Sequence, residues 1–244
     1  MMHAWGTTDI GLVRRENQDA YLIHQNPSRT ICVVCDGMGG SAGGQLASQI
    51  ATKTFMEEAE KILTPEMEPE QLRSASAYAV SLANDAIRSA AEEHEAYRNM
   101  GTTLVAAVSY QGGVVVTNVG DSRAYHISEN GITRVTKDHS LVERMVDRGD
   151  ITAEEARRHP NRNLITRALG PDADAQCDGY ICPMQAGEYL LLCTDGLVNT
   201  VTDQEMLFEV IHRGSPDSCL ERLLEIAKSQ GAPDNVTVVL MQKL

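Results

Sequence analysis

The chain has 244 residues, with 21 Lys+Arg against 34 Asp+Glu and a formal net charge of −13. That balance argues against a binder of nucleic acid or of an anionic membrane, because nothing basic compensates a phosphate backbone or headgroup layer. With 42% hydrophobic and 23% charged residues but only 4% aromatics, it reads as a folded soluble domain with an aliphatic core.

No apolar run approaches the roughly 20 residues that span a bilayer, and residues 1–6 lack the basic start and apolar stretch of a signal peptide. A cytoplasmic protein is expected. Without repeats, low-complexity segments or Pro/Gly/Ser linkers, the whole of 1–244 reads as one domain. In chain order, strands are expected at 31–35, 103–109, 114–119, 123–127, 132–135, 189–193 and 236–241, all β-branched or aliphatic runs. Gln111-Gly112-Gly113 and Asn130-Gly131 mark two hairpins. Helical spacing predicts helices over 44–58, through Leu46, Ile50 and the row Ala47, Ala51, Phe55, and over 70–93, through Leu72, Ala75, Ala79, Leu82, Ala86 and Ala90. Thr202 with Glu205 forms a capping box, and Ser215-Pro216-Asp217 opens a helix running to Gly231. Between 135 and 189, Ser140 with Glu143 caps a short helix that stops at Gly149, and Thr152 with Glu155 caps another that ends before Pro160. Such an excursion fits either a flap or an ordinary surface insertion. Clustered hairpins and paired helices give an α+β class.

The chemistry lies where aspartates fall relative to strands. Asp36 follows 31–35, Asp121 ends 114–120, Asp195 follows 189–193 by one residue, and Asp234 precedes 236–241. Unpaired buried carboxylates are costly, so four at strand ends call for cations, and an oxygen-only donor set selects hard ions such as Mg²⁺ or Mn²⁺. Small residues accompany them, as in Asp36-Gly37-Met38-Gly39-Gly40 and Asp195-Gly196, so the Gly37 carbonyl is a candidate ligand. Taken singly, an Asp-Gly is more often a turn. Near the start, Arg14 precedes Asn17-Gln18-Asp19, where a guanidinium could grip a phosphate beside another carboxylate. Gly37-x-Gly39-x-x-Ala42 has the outline of a dinucleotide fingerprint, but Asp36 would face the pyrophosphate and no parallel strand follows. Cys32 and Cys35 form a C-x-x-C, but on a strand they point to opposite faces, and no second pair completes a zinc site. The six cysteines are expected to be reduced thiols.

Together with Gly101-Thr102-Thr103, Gly120-Asp121-Ser122-Arg123, Asp138-His139-Ser140-Leu141, Thr166-Arg167-Ala168-Leu169-Gly170, Thr194-Asp195-Gly196-Leu197 and Asp234-Asn235-Val236-Thr237, these motifs occur in an order that resembles metal-dependent protein serine/threonine phosphatases of the type 2C (PPM) family, bacterial single-domain type. The resemblance covers essentially the whole chain. It implies a four-layer αββα sandwich of two antiparallel β-sheets flanked by helix pairs, with two Mn²⁺ or Mg²⁺ ions, and a third weaker one, at one edge. By position it implies that Asp36 bridges both metals, Gly37 supplies its carbonyl, and Asp195 and Asp234 complete one metal. Asp19 would ligate metal or orient its water, and Asp121 with Asp195 would hold the third ion. Arg14, rather than Arg15, would bind the substrate phosphate, because the family pattern places the arginine directly after Val13. Asn235 would orient Asp234. The segment 138–170 would be the flap.

Two departures follow from the same comparison. Many eukaryotic relatives carry a His in place of Met38, a candidate general acid, and Met cannot donate a proton. Some carry Glu in place of Gln18, so the second metal would lean more on water. The reaction implied is hydrolysis of phosphoserine and phosphothreonine in proteins by a hydroxide activated between the two ions, without a covalent phosphoenzyme. Implied partners are phosphorylated proteins and a cognate Ser/Thr kinase; a monomer is expected. Rival readings are a pseudophosphatase, a phosphoesterase of small metabolites, and a redox or zinc protein.

Overall fold

In the computed structural model, the described chain comprises residues 1–212 and 214–244, with all their side chains except those of Ser41 and Ala42. One sheet is built from β1 (Met2–Asp9), β7 (Arg123–Ser128), β8 (Gly131–Arg134), β10 (Tyr189–Cys193) and β11 (Val236–Lys243), in the order β1-β11-β10-β7-β8. The other is built from β2 (Asp19–Gln25), β3 (Thr30–Met38), β5 (Leu104–Tyr110), β6 (Gly113–Val119) and β9 (Asp178–Pro183), in the order β2-β3-β5-β6-β9, with β4 (Gly101–Thr102) added to the end of β3. Every pairing is antiparallel.

Alternation along the strands builds three core layers. Cys32, Val34, Val105, Val116, Leu190, Leu192 and Val239 meet between the two sheets. On the other face of β3, Val33 and Cys35 pack with Phe55, Leu72 and Ile87 from α1 (Gly40–Ile62) and α2 (Pro69–Glu93). Tyr125, Leu191 and Val238 pack with Met206 and Leu223 from α6 (Asp203–His212) and α7 (Pro216–Ser229). This is the four-layer αββα sandwich of two antiparallel sheets. Cys32 and Cys35 do face opposite layers, and the six cysteines are free.

The segment after β8 carries α3 (Leu141–Arg148), capped by Ser140 through the Glu143 N–H and closed by Gly149 at φ 76°. It continues into α4 (Ala153–Arg158), where Thr152 and Glu155 form the capping box. The segment is sewn to the sandwich at its base. His139 N donates to Gly120 O (2.9 Å), Ser140 bridges Ile165, Thr102 bridges Leu169, and Asn84 of α2 grips Gly170 N (2.7 Å) and Asp172 O (2.9 Å). Arg123 holds Asp138 through Nε (3.0 Å) and Nη2 (2.6 Å).

The strands β1, β2, β4 and β9 and the short helix α5 (Asp195–Val198) have no counterpart among the elements expected from periodicity. α1 begins at Gly40, ahead of the first residue with helical patterning. No helix among the described residues is long and apolar enough to cross a membrane.

Candidate active site

At one end of the sandwich a cleft of about 670 Å³ is lined by Arg14, Arg15, Gln18, Asp36, Gly37, Met38, Thr103, Asp121, Asn163, Ile165, Asp195, Asp234 and Asn235, among others. The four aspartates read at strand ends all line it. Asp19, on β2, lies behind them as the cross-strand partner of Asp36 in register. Like charges directly opposite on a sheet repel, so this pair is poorly matched on its own.

Hydrogen bonds fix the segments that bear the aspartates. The Thr103 hydroxyl accepts from the Asp36 N–H (3.0 Å) and shares a hydrogen bond with the Ser122 hydroxyl (2.7 Å), while the Thr102 hydroxyl donates to Asp36 O (2.8 Å). The Gly101-Thr102-Thr103 motif thereby couples the end of β3 to the turn that bears Asp121. Asp19 is tied across the sheets: its Oδ2 accepts from the hydroxyls of Thr237 on β11 (2.7 Å) and of Thr194, just past the end of β10 (2.9 Å). Asp195 opens α5, with its Oδ2 accepting from Asn199 (3.2 Å). A Cβ on Gly196 would lie 1.9 Å from Asn235 O, so only glycine lets α5 sit this close to the Asp234 segment. A Cβ on Gly37 would likewise lie 2.1 Å from Gly44 O, which fixes the start of α1 against the cleft.

The electrostatics are those of an overcrowded anionic site. Burial, then the charges of Asp195 and Asp234, push Asp19 up to about 7, and burial, then Asp195 and Asp138, push Asp121 up to about 8. Asp36 is driven well above the ordinary carboxylate range by burial and by Asp19, Asp195, Asp121 and Asp234; Asp195 is raised by burial and Asp234. Arg14 Nη2 donates to Asp234 Oδ2 (2.7 Å), and that bond raises its own pKa. Asp19 Oδ1 and Asp195 Oδ1 are buried without a hydrogen-bond partner. Buried orphaned carboxylate oxygens need a cation or a proton. The all-oxygen donor set therefore fits hard divalent ions, although among the described residues no three His, Cys, Asp or Glu side chains already cage one.

Gly37 lines the cleft at the end of β3, and Met38 beside it is half-buried. Among the described lining residues there is no His, Lys, Tyr or Cys. Asn235 differs in detail from its expected part: its backbone N–H, not its side chain, donates to Asp234 Oδ1 (2.9 Å), and the side chain turns to the loop that bears Arg14. Sequence reading assigned no part to Thr103, Ser122, Thr194, Thr237 and Asn199. All of these but Asn199 lie within the quoted motifs, which is the available signal. Asn163 and Ile165 bring the 138–170 segment to the cleft wall.

Residues 14–233 match the family model of protein phosphatase 2C. The chain is 36% identical over 243 residues to the serine/threonine phosphatase stp of Listeria welshimeri, covering 99% of this chain and 96% of that one. Its structure resembles that of the serine/threonine phosphatase Stp1 from Staphylococcus aureus with a TM-score of 0.94 at 36% identity, covering 100% of this chain and 96% of the other. It also resembles the catalytic domain of the serine/threonine protein phosphatase PstP in complex with two manganese ions, with a TM-score of 0.82 at 31% identity and coverage of 99% and 97%. The carboxylate cleft at the edge of an αββα sandwich and these matches lead to one assignment: the chain belongs to the protein phosphatase 2C family of serine/threonine phosphatases.

Proposed function

We propose that this cleft hydrolyses phosphoserine and phosphothreonine esters of proteins with two Mn²⁺ or Mg²⁺ ions and without a covalent phosphoenzyme. The observation that carries the reading is the set of mutually repelling carboxylates with orphaned oxygens on Asp19 and Asp195. Asp36 would serve both ions, Gly37 would supply its carbonyl, Asp195 and Asp234 would complete one site, Asp19 would ligate an ion or orient its water, and Asp121 with Asp195 would hold a weaker third. When bound, the ions supply Lewis acidity, lowering the pKa of water at the phosphorus and neutralising phosphate oxygens.

The chain's own residues do the rest. Arg14 stands on Asp234 Oδ2 at 2.7 Å, and an ion drawing on the charge of Asp234 would weaken that pair and leave the guanidinium for two N–H bonds to the phosphate. Arg14 then offsets the charge that spreads over the equatorial oxygens. Met38 has no proton to give, so the proton for the leaving alkoxide must come from water or from another residue. Thiol chemistry has no support, since burial raises the thiols of Cys35 and Cys193 and neither lines the cleft. The 138–170 segment is read as a flap that presents Asn163 and Ile165 to the substrate. The PstP structure with two manganese ions supports the ion count.

The test is phosphate release from a phosphothreonine peptide after EDTA treatment, with Mn²⁺ or Mg²⁺ restored, beside Asp36→Ala and Asp195→Ala, and with sugar and nucleotide phosphates for comparison. Activity that returns with the ion, is lost in both variants and favours the peptide is the expected outcome. A metal-loaded, folded protein without turnover overturns it, and preference for the small phosphates moves the assignment to a metabolite phosphoesterase.

A further inference from the structure

The loop 10–18 places Arg14 at the cleft, yet the Arg14 side chain is 54% exposed and, among the described residues, ion-pairs with Asp234 alone. What holds the loop is a side chain from the far end of the sequence. Asn235, buried to 5% exposure, donates through Nδ2 to Ile10 O (3.0 Å) and Glu16 O (3.0 Å), and its Oδ1 accepts from Gln18 N (2.9 Å). One amide thus grips the loop before and after Arg14, using both of its donor hydrogens. The loop is also seated by Leu12 N on Ala232 O (2.9 Å), and a Cβ on Gly11, at φ +78°, would lie 2.3 Å from Asp234 O.

We infer that Asn235 is a positioning residue for Arg14: its carboxamide clamps the loop 10–18 so that the guanidinium meets the substrate phosphate at a fixed place. This rests on the reading of Arg14 as the phosphate ligand. A group that acts through Arg14 should alter phosphate binding, and its effect should vanish once Arg14 is gone. A group that merely orients Asp234 should instead alter the metal requirement.

The experiment is a double-mutant cycle on the Mn²⁺-loaded full chain with Asn235→Ala and Arg14→Ala, reading kcat, KM for a phosphothreonine peptide, Ki for inorganic phosphate and half-saturating Mn²⁺. In Asn235→Ala, KM and Ki rise about tenfold, with kcat kept within about threefold and the Mn²⁺ requirement within about twofold. In the double variant KM is no worse than in Arg14→Ala alone. Hydrogen exchange accompanies the cycle, with loss of protection confined to 10–18; if Asn235→Ala does not fold, Asn235→Ser takes its place. KM effects that multiply in the double variant, or a change confined to the Mn²⁺ requirement, overturn the clamp while leaving the phosphatase reading intact. Should Arg14→Ala leave KM and Ki unmoved, the phosphate reading of Arg14 fails and the clamp's purpose with it.

Discussion

Asp19 and Asp36 face each other in register at the start and end of neighbouring strands, an arrangement that is unfavourable until positive charge arrives. It ties function to stability with opposite signs. Asp19 and Asp121 ordinarily titrate near 3.8 but are raised to about 7 and about 8 in the fold. Between those limits the unfolded chain has released protons that the fold retains, so the stability of the chelated protein is full at the acid end and falls as pH rises. Melting in EDTA across this range should show that decline, and Mn²⁺ should give its largest gain at the alkaline end. For the same reason Asp121→Asn should raise the melting temperature in EDTA at neutral pH, by about 2–4 °C for each kcal/mol of relieved repulsion. Asp36→Asn should stabilise the chelated protein in the same way while lowering turnover at least about a hundredfold, a split that phosphate release and melting measure together. Asp36, Asp121, Asp195 and Asp234 were legible because each stands beside a small residue at the end of an obvious strand. Asp19 stood out as a carboxylate near Arg14, but its part at the metals came only through the family resemblance, since its strand was not visible. The threonines that hold Asp19 and Asp36 were hidden, because each contact joins residues far apart in sequence.

At the scale of elements, the site depends on pieces that periodicity does not reveal. The Gly-rich start of α1 carries no helical pattern, yet Gly37 and Gly44 lack room for a Cβ and so bring the helix onto the end of β3. Tertiary packing outweighs propensity there. β1 contains Gly6, whose Cβ would lie 2.6 Å from the Tyr21 ring, and β9 is a half-exposed edge strand ending in Pro183; neither shows strong alternation. The central strands β3, β5, β6 and β11, buried on both faces, were plain from their aliphatic runs. The 138–170 segment showed its caps but not its anchors. Asp138, at 8% exposure, receives a two-nitrogen grip from Arg123, so Asp138→Ala leaves that guanidinium without its counter-charge. It should cost about 3 kcal/mol in urea unfolding, and more than Asp138→Asn, which keeps the acceptor oxygen.

For the whole molecule, two sheets meet so that one end of the sandwich gathers carboxylates from both. Asp19 and Asp36 belong to one sheet, and Asp19 is gripped by Thr237 of the other sheet and by Thr194, which follows the end of β10. The αββα layering followed from the family resemblance; strand and helix patterning alone gave the α+β class. The central claim is that the carboxylate cleft is completed by two divalent ions and that Asp234 exchanges Arg14 for one of them. The most direct measurement is a crystal structure of the Mn²⁺-loaded protein with anomalous differences recorded for manganese. Two strong peaks are expected among Asp19, Asp36, Gly37, Asp195 and Asp234, with Arg14 released from Asp234. Manganese bound elsewhere, or an ion-filled cleft in which the Arg14–Asp234 pair persists, would contradict it.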